Sequence, residues 1–447
     1  MDSLHALKIK ILDFFPSNAR LVSGGAWALV GRFLSLFLGL VINVILVRIL
    51  TPEEMGSFVL TLSIVSIGVV FGQFGLGRTS VRLIAESIGL GQPDRARKLV
   101  AKILLATVAG AILSGALILL KGQWLAAVLL RSNLISGGIL LTGLWVFTLT
   151  IKTVLVEVFR GFHLISYSEI FSDLGLRVLL IPVLVWLWLA KRHLTFEHVL
   201  VLFISLTILL TLIGLFMLGR LIGSLPRTNT AVNNEPGLKT IFFSSLNVWL
   251  SSLLLVGQGY AVVWLLAAYT TPAVVAQYYS AFQLASLMGV FMMVLQSVLP
   301  PIVAELYAKR SLFELQNLLQ KSAFVAFLPS ALVFIVLMMS GKFILSHIYG
   351  EYYSAAFPFL VILCVGQLVN VWTGLCGETL IQTGNQNILL AIIFWGTLTF
   401  FSVSMLFYRF YGGVGIILMI TLSTIFINFL SLLFVWKKNG IWTFARP

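Results

Sequence analysis

Long apolar runs separated by short polar joints fill the chain from about residue 25 to residue 436. A helix needs roughly 20 mostly apolar residues to cross a ~30 Å hydrocarbon core. Inside lipid, only helices and closed barrels satisfy their backbone polar groups. The pattern predicts an all-α membrane protein with about twelve transmembrane helices, near 25–47, 57–76, 100–120, 135–159, 165–190, 197–219, 241–267, 273–298, 322–345, 356–381, 388–410 and 413–436.

The composition supports this class, because 60% of the residues are hydrophobic and only 10% are charged, which fits no soluble globular domain. If the N-terminus is cytoplasmic, 19 of the 29 Lys and Arg residues fall on the cytoplasmic side and 7 on the opposite side. The positive-inside rule then predicts that both termini are cytoplasmic. The net charge of +14 follows from this topology and from anionic headgroups, and does not indicate nucleic acid.

The two halves of the chain resemble each other at nearly constant offsets, which predicts two pseudo-symmetric six-helix lobes around a central cavity. We expect an N-terminal lobe at 1–222, a cytoplasmic linker at 223–240 and a C-terminal lobe at 241–447. Such halves usually enclose a substrate site near the midplane and rock about it. The matching pairs are Ala85-Glu86 with Ala304-Glu305, Thr51-Pro52 with Thr271-Pro272, and Gly161 with Gly384.

Charged residues inside the spans of the N-terminal lobe predict a hydrated cavity. A charge near the bilayer centre costs ~2.5–3.5 kcal/mol on insertion scales, so it usually faces a cavity or a partner. The first helix carries Arg32 on a stripe with Ser35, Gly39 and Asn43. The other candidates for binding substrate in this lobe are Lys152, Asp173 and Arg177.

Neutral polar residues predict the opposite wall of the cavity in the C-terminal lobe. Side-chain amides and hydroxyls can exchange hydrogen bonds with the hydroxyls of a sugar. Arginine, in contrast, gives bidentate and permanently charged recognition of phosphate. The candidates on the seventh and tenth helices are Asn247, Ser251, Gln258, Gln367, Asn370 and Glu378.

Two of these assignments leave alternatives open. Asp173 and Arg177, four residues apart, either form an internal ion pair or leave Arg177 to contact substrate. Arg32 and Lys152 have no acidic neighbour on their own stripes at the same depth, so we expect both to line the cavity. Gln367 and Asn370 either line the cavity or join helices by hydrogen bonds.

The stretch from Ala26 to Leu83 combines a first helix bearing Arg32, the joint Leu50-Thr51-Pro52-Glu53-Glu54-Met55-Gly56 and the motif Phe74-Gly75-Leu76-Gly77-Arg78. It resembles the N-terminal region of polysaccharide biosynthesis/export proteins, the Wzx-type flippases. Their superfamily also holds multidrug extruders and lipid II flippases. The resemblance implies alternating access in the cytoplasmic (inner) membrane. It also implies transfer of an undecaprenyl-pyrophosphate-linked oligosaccharide to the outer leaflet for O-antigen, capsule or exopolysaccharide, in association with glycan polymerase machinery.

The sequence contains no phosphate-binding loop, no metal-ligand spacing among its five His residues and no nucleophile–base set. We therefore expect a transporter that is not an enzyme and needs no metal or cofactor. A multidrug/ion antiporter of the same fold is the nearest alternative, although Arg32 would repel cationic drugs. A membrane glycan polymerase or ligase is a further alternative, which would be expected to carry a large external loop that this chain lacks.

Overall fold

The computed structural model describes residues 19–126, 133–190, 194–225 and 238–446. Within these ranges the backbone is helical almost throughout, and no β-strand occurs among the residues described. Short 3₁₀ or π turns at Leu287–Gly289, Leu345–Tyr349 and Glu351–Ala356 connect some of the helices. In the described ranges the α-helices are α1 Ala19–Ile49, α2 Pro52–Gln73, α3 Leu76–Gly89, α4 Pro93–Trp124, α5 Asn133–Gly137, α6 Ile139–Gly161, α7 Ile165–Phe171, α8 Asp173–Leu189, α9 Phe196–Ser224, α10 Leu238–Tyr269, α11 Pro272–Ser286, α12 Val290–Ala308, α13 Leu312–Ile344, α14 Phe357–Thr373, α15 Cys376–Gln382 and α16 Gln386–Asn439.

The predicted fold class is confirmed. Nine helices in the described part of the chain are long and apolar enough to cross a membrane, and the bent pair α7–α8 makes a tenth. The apolar stretch Phe33–Ile49 in α1 is shorter. A non-helical Gly412 (φ 57°, ψ −144°) divides the 54 residues of α16 into two segments. Each predicted span therefore has a helical counterpart.

Two of the predicted spans are broken, so the residues before and after each break do not share one helical face. Ser172 adopts an extended conformation (ψ −163°) between α7 and α8, which bend by 42°. Glu169 therefore does not share one straight stripe with Asp173 and Arg177. The tenth span breaks at Gly374 (φ 72°), so Glu378 on α15 does not continue the face of α14.

The two Thr-Pro joints of the repeat begin equivalent helices. Thr51 caps α2, because its hydroxyl oxygen accepts the Glu54 backbone N–H at 3.3 Å while Glu54 accepts the Thr51 N–H at 3.0 Å. Pro52 and Pro272 each occupy the first turn, where a missing N–H costs nothing. The two helices then pack together, and Gly56 lies against the backbone carbonyl of Pro272. A larger residue at Gly56 has no room there.

The Ala-Glu matches of the repeat also have a shared structural role. Glu86 accepts a hydrogen bond from Arg95 at 3.1 Å, and Glu305 accepts one from Lys309 at 2.5 Å. The bond to Glu305 raises the pKa of Lys309. In each half a glutamate thus pairs with a basic residue of the connection that follows.

The two halves contact each other along α2 and α10. The Trp249 indole donates to the Val70 carbonyl at 3.0 Å, and the Trp264 indole donates to the Ser63 hydroxyl at 2.7 Å. One continuous hydrophobic core runs through both halves, from Ile42 to Ile417. The lobe boundaries and the cytoplasmic placement of the termini stay predictions, and residues 226–237 of the predicted linker lie outside the described ranges.

A further contact closes the end of the bundle that the topology predicts to be external. Arg48, in the last turn of α1, donates to the backbone carbonyls of His347 and Ile348 in the other half (2.8 Å to Ile348). These carbonyls belong to the π turn Leu345–Tyr349, which ends at Gly350 with a φ of 114°. We call this contact the Arg48 clasp.

The C-terminal segment, residues 440–446, packs against the broken tenth span. The Thr443 hydroxyl donates to the Thr373 carbonyl at 2.8 Å, and the Ala445 N–H donates to the Trp372 carbonyl at 2.8 Å. Gly374 lies against the Thr443 carbonyl, which leaves no room for a Cβ. The segment therefore satisfies carbonyls that the helix break leaves without partners, as the hydrocarbon region requires.

Candidate functional site

A cavity of about 240 Å³ lies between the two halves and is enclosed by α1, α2, α6, α8, α9, α10 and α11. We call it the central cavity. Most of its wall is apolar, with Met55, Phe58, Trp145 and Phe203 among the larger side chains. Its polar lining residues are Asn43, Ser66, Asp173, Arg177, Tyr260, Tyr279 and Gln283. Helices from both halves thus contribute polar groups to one enclosed space.

Arg177 is held in this cavity by contact between α8 and α1. Its guanidinium donates to the backbone carbonyl of Ser35. Gly39, one turn further along α1, leaves the space that the guanidinium occupies, since a Cβ there would lie 2.5 Å from Nη1. Arg177 therefore makes its described hydrogen bond with α1 and not with Asp173, which argues against the internal Asp173–Arg177 pair, one of the two alternatives left open.

Gly39→Ala tests how Arg177 is positioned. We expect the added methyl group to displace the guanidinium and to weaken the binding of an anionic ligand about tenfold, with little loss of folded protein. Thermal unfolding and ligand titration of the purified variant separate the two effects. Gly257→Ala is a matched control, because a Cβ at Gly257 meets nothing within 4 Å. Unchanged ligand affinity in Gly39→Ala would contradict the role of this contact.

Lys152 has an acidic partner on another helix, whereas the prediction considered only its own stripe. Its side chain is 1% exposed, and its ammonium lies 3.6 Å from the Asp173 carboxylate, whose side chain is 64% exposed. The Lys152 nitrogen makes no hydrogen bond within the described part of the chain. Lys152 lines a neighbouring crevice and is absent from the lining of the central cavity. The sequence identified Lys152 as a charged residue within a span, but it could not show that the side chain is buried.

This charged crevice, of about 280 Å³, lies between α1 and the helices α6 to α8. Arg160 bridges two acids there, at 2.7 Å to Glu157 and 3.7 Å to Glu169. Asp173 lines both the charged crevice and the central cavity, so the two spaces adjoin at its carboxylate. The Arg32 side chain lies outside the described residues, although its neighbour Gly31 lines the crevice.

The predicted residues of the C-terminal half gather elsewhere. Gln258 and Gln367 line a separate cavity of about 230 Å³, together with Thr421 and Thr424. This cavity and the central cavity have no lining residue in common. Asn370 accepts a hydrogen bond from Asn428 at 3.1 Å and donates to Gln367 at 3.4 Å.

The remaining predicted residues of this half have different placements. Ser251 lies on α10, two turns before Gln258, and the side chain of Asn247 falls outside the described residues. Glu378 lies beyond the break, on α15. Of the ten predicted site residues, the structure therefore brings Asp173 and Arg177 together in the central cavity.

The sequence pattern did not reveal the residues of the C-terminal half that line the central cavity. Tyr279 and Gln283 lie four residues apart on α11, and the Gln283 amide donates to the Tyr279 hydroxyl at 3.1 Å. Tyr260 and Ser66 exchange a hydrogen bond of 2.9 Å across the halves. The i, i+4 spacing of Tyr279 and Gln283 was the available signal, but tyrosines among many aromatic residues are hard to distinguish from packing side chains.

Comparisons with known proteins identify a family and a fold. The family model described as "Polysaccharide biosynthesis protein" matches residues 21–307. Among curated proteins, none matches the chain. A solved multidrug resistance MATE family transporter of the MOP superfamily in an inward-facing conformation is similar, with a TM-score of 0.73 and 15% identity over 91% of this chain and 94% of that one.

Two further solved structures share the fold. The lipid II flippase MurJ, in an inward closed conformation, gives a TM-score of 0.67 at 16% identity, with 92% of this chain and 87% of MurJ covered. An outward-facing MATE family transporter gives a TM-score of 0.62 at 15% identity, with 94% and 95% covered.

Proposed function

Because this chain belongs to the polysaccharide biosynthesis protein family, we propose that it is a flippase for undecaprenyl-diphosphate-linked oligosaccharides. It takes the lipid-linked unit from the cytoplasmic leaflet of the inner membrane and releases it in the outer leaflet. The product is a building block for a surface polysaccharide such as O-antigen, capsule or exopolysaccharide. The protein acts as a transporter and not as an enzyme, and a polymerase consumes what it delivers.

The observation that carries this proposal is the Arg177 guanidinium in an enclosed cavity between two halves of a transporter fold. A guanidinium is always charged and offers paired N–H donors, which suit the oxygens of a diphosphate. The hydrogen bond from Arg177 to the Ser35 carbonyl uses only some of the N–H donors of the guanidinium. The remaining N–H groups can bind an anionic headgroup while α1 keeps the side chain in place.

The Lys152–Asp173 pair sets the charge next to this site. The Asp173 carboxylate faces the cavity and the buried Lys152 ammonium lies behind it, so the pair adds little net charge. Arg177 therefore leaves the wall with a positive excess, which attracts an anion.

A multidrug/ion antiporter is the second candidate, and the exposed Asp173 carboxylate is the observation in its favour. An antiporter that moves cationic drugs would bind them at Asp173, and Arg177 would oppose that binding. The antiporter would be supported if the wild-type protein conferred drug resistance, and if loss of the Asp173 carboxylate abolished that resistance while loss of Arg177 did not. An anionic lipid as the transported ligand supports the flippase.

Arg177→Ala in proteoliposomes tests the flippase. The measurement is the fraction of an undecaprenyl-diphosphate-linked sugar that becomes accessible to an added enzyme in the opposite leaflet. Loss of one desolvated phosphate contact should cost about 1.5–3 kcal/mol, or about 10- to 150-fold in affinity. Arg177→Lys should recover only part of the activity, because an ammonium lacks the paired donors.

The matched control is Arg409→Ala, which removes an exposed guanidinium that does not line the central cavity. This variant should transport like the wild type. Full transport by a well-folded Arg177→Ala variant would overturn the proposed role of Arg177.

A further inference from the structure

The central cavity is lined by neutral polar groups as well as by charged ones. Asp173 and Arg177 come from α8 of the N-terminal half. The neutral polar groups come from both halves: Asn43 and Ser66 from α1 and α2, Tyr260 from α10, and Tyr279 and Gln283 from α11. A ligand that fills this cavity therefore meets both charged groups and neutral hydrogen-bonding groups.

Among the neutral lining groups, Asn43 carries unused hydrogen-bonding capacity. Its side chain is 3% exposed, and neither its amide nitrogen nor its oxygen has a hydrogen-bond partner among the described residues. Buried polar groups in native proteins are usually paired, and an unpaired one calls for a functional reason. An amide can donate two hydrogen bonds and accept two, which matches a group rich in hydroxyls.

The C-terminal half offers complementary groups. The Tyr279 hydroxyl accepts a hydrogen bond from Gln283 at 3.1 Å, so its own proton stays available for another acceptor. Tyr260 and Tyr279 also bring aromatic rings beside their polar hydroxyls. Apolar and aromatic walls with a few placed polar groups are typical of sites for small organic ligands.

The size of the cavity restricts what it can enclose. About 240 Å³ is below the roughly 300–1,000 Å³ of sites for drug-sized ligands. A whole lipid-linked oligosaccharide cannot fit, but a single sugar ring next to a bound phosphate can. The part of the substrate within reach of both Arg177 and the neutral polar groups is the sugar attached directly to the diphosphate.

We propose that Asn43, Tyr279 and Gln283 form a sugar-binding subsite that recognises the diphosphate-proximal sugar. This inference rests on the proposed flippase function. The N-terminal half holds the diphosphate through Arg177, while the sugar bridges Asn43 on α1 to Tyr279 and Gln283 on α11. The subsite is therefore complete only when the two halves meet, so the sugar contributes to holding them together around the substrate.

The test measures binding of two kinds of probe to the full-length protein in nanodiscs: undecaprenyl diphosphate itself, and a panel of undecaprenyl diphosphates carrying one sugar each. We expect at least one sugar to raise the affinity of the wild type above that for the bare diphosphate. Asn43→Leu and Tyr279→Phe should each weaken that ligand about five- to tenfold. Both variants should bind the bare diphosphate within twofold of the wild type.

The controls separate the subsite from folding. Tyr411→Phe removes an exposed hydroxyl that does not line the cavity and should change neither affinity. Asn43→Leu should unfold at the same or a higher temperature than the wild type, because it removes a buried amide without a partner. If either variant fails to fold, Gln283→Met replaces it in the same comparison.

The outcomes distinguish the two proposals. If the wild type binds neither kind of probe, the proposed flippase function fails. If it binds the bare diphosphate but no sugar raises the affinity, the sugar subsite is overturned and the flippase stands. Equal losses for bare and sugar-bearing probes in folded variants would also overturn the subsite. A loss confined to the sugar-bearing probe supports it.

Discussion

Asp173→Asn should deplete the folded protein from the membrane, because it leaves the Lys152 ammonium buried without its partner. The Lys152 side chain is 1% exposed, and Asp173 is its ion-pair partner at 3.6 Å. Removing one member of a buried pair costs ~3–5 kcal/mol. The carboxylate itself is 64% exposed, so water screens the pair and we expect about 2–3 kcal/mol. This is a large fraction of a typical stability of ~5–15 kcal/mol.

The double variant Lys152→Met with Asp173→Asn should restore abundance, since no charge is then left unpaired. Detergent-solubilised yield and thermal unfolding measure this recovery. Glu157→Gln provides the control, because that carboxylate pairs with Arg160 where both side chains are partly exposed, and its loss should cost little. Wild-type abundance of Asp173→Asn alone would contradict the role assigned to the pair.

Transport by the restored double variant then tests Arg177. If Arg177 binds the diphosphate by itself, the double variant should be abundant and should bind the headgroup at least as tightly as the wild type. Its transport should also continue, because Arg177 and its contact with α1 are unchanged. A double variant that is abundant but does not bind the headgroup would move the binding role from Arg177 to the pair.

Arg48→Ala should shift the conformational equilibrium toward opening at the predicted external end. It removes two hydrogen bonds from a guanidinium to carbonyls of the other half. At this exposed position we expect a loss of about 1–2 kcal/mol, or about five- to thirtyfold in the ratio of closed to open forms. Cross-linking between Glu53→Cys and Tyr352→Cys measures that ratio, since these residues interact electrostatically across the halves.

The cross-linking experiment has internal controls. The native Cys364 and Cys376 are both buried, so they should not compete for the reagent. Arg48→Lys should retain part of the closed population, because an ammonium can still donate to one carbonyl. An unchanged yield in Arg48→Ala would contradict the role assigned to the clasp.

Helical periodicity predicted the features that depend on one helix. The stripe of Ser35, Gly39 and Asn43 on α1 faces a neighbour as expected, with the first two in contact with Arg177 and the third lining the cavity. The Thr-Pro joints at Thr51 and Thr271 begin equivalent helices, because capping chemistry is local. These features need only a few consecutive residues and the helix repeat.

The predictions that failed concern where a helix breaks or which residues of another helix lie nearby. Ser172 breaks the fifth span because its hydroxyl caps α8, accepting the Leu174 N–H at 3.2 Å. A serine inside an unbroken helix looks the same in a sequence, so the sequence could not show this break. The partner of Lys152 lies on another helix, so no stripe could show it. The split of Gln258 and Gln367 from the central cavity also depends on packing between distant helices.

The C-terminal segment has a consequence for how the protein is made. The carbonyl of Thr373 accepts a hydrogen bond from Thr443, which lies 70 residues later in the chain. The carbonyl of Trp372 accepts one from Ala445. Both donors are synthesised after the helices that lie between them and the tenth span. The tenth span therefore keeps two carbonyls without these partners until residues 440–446 have been made and have packed against it. Its final packing depends on a contact between distant parts of the sequence, so it follows the insertion of the helices in between.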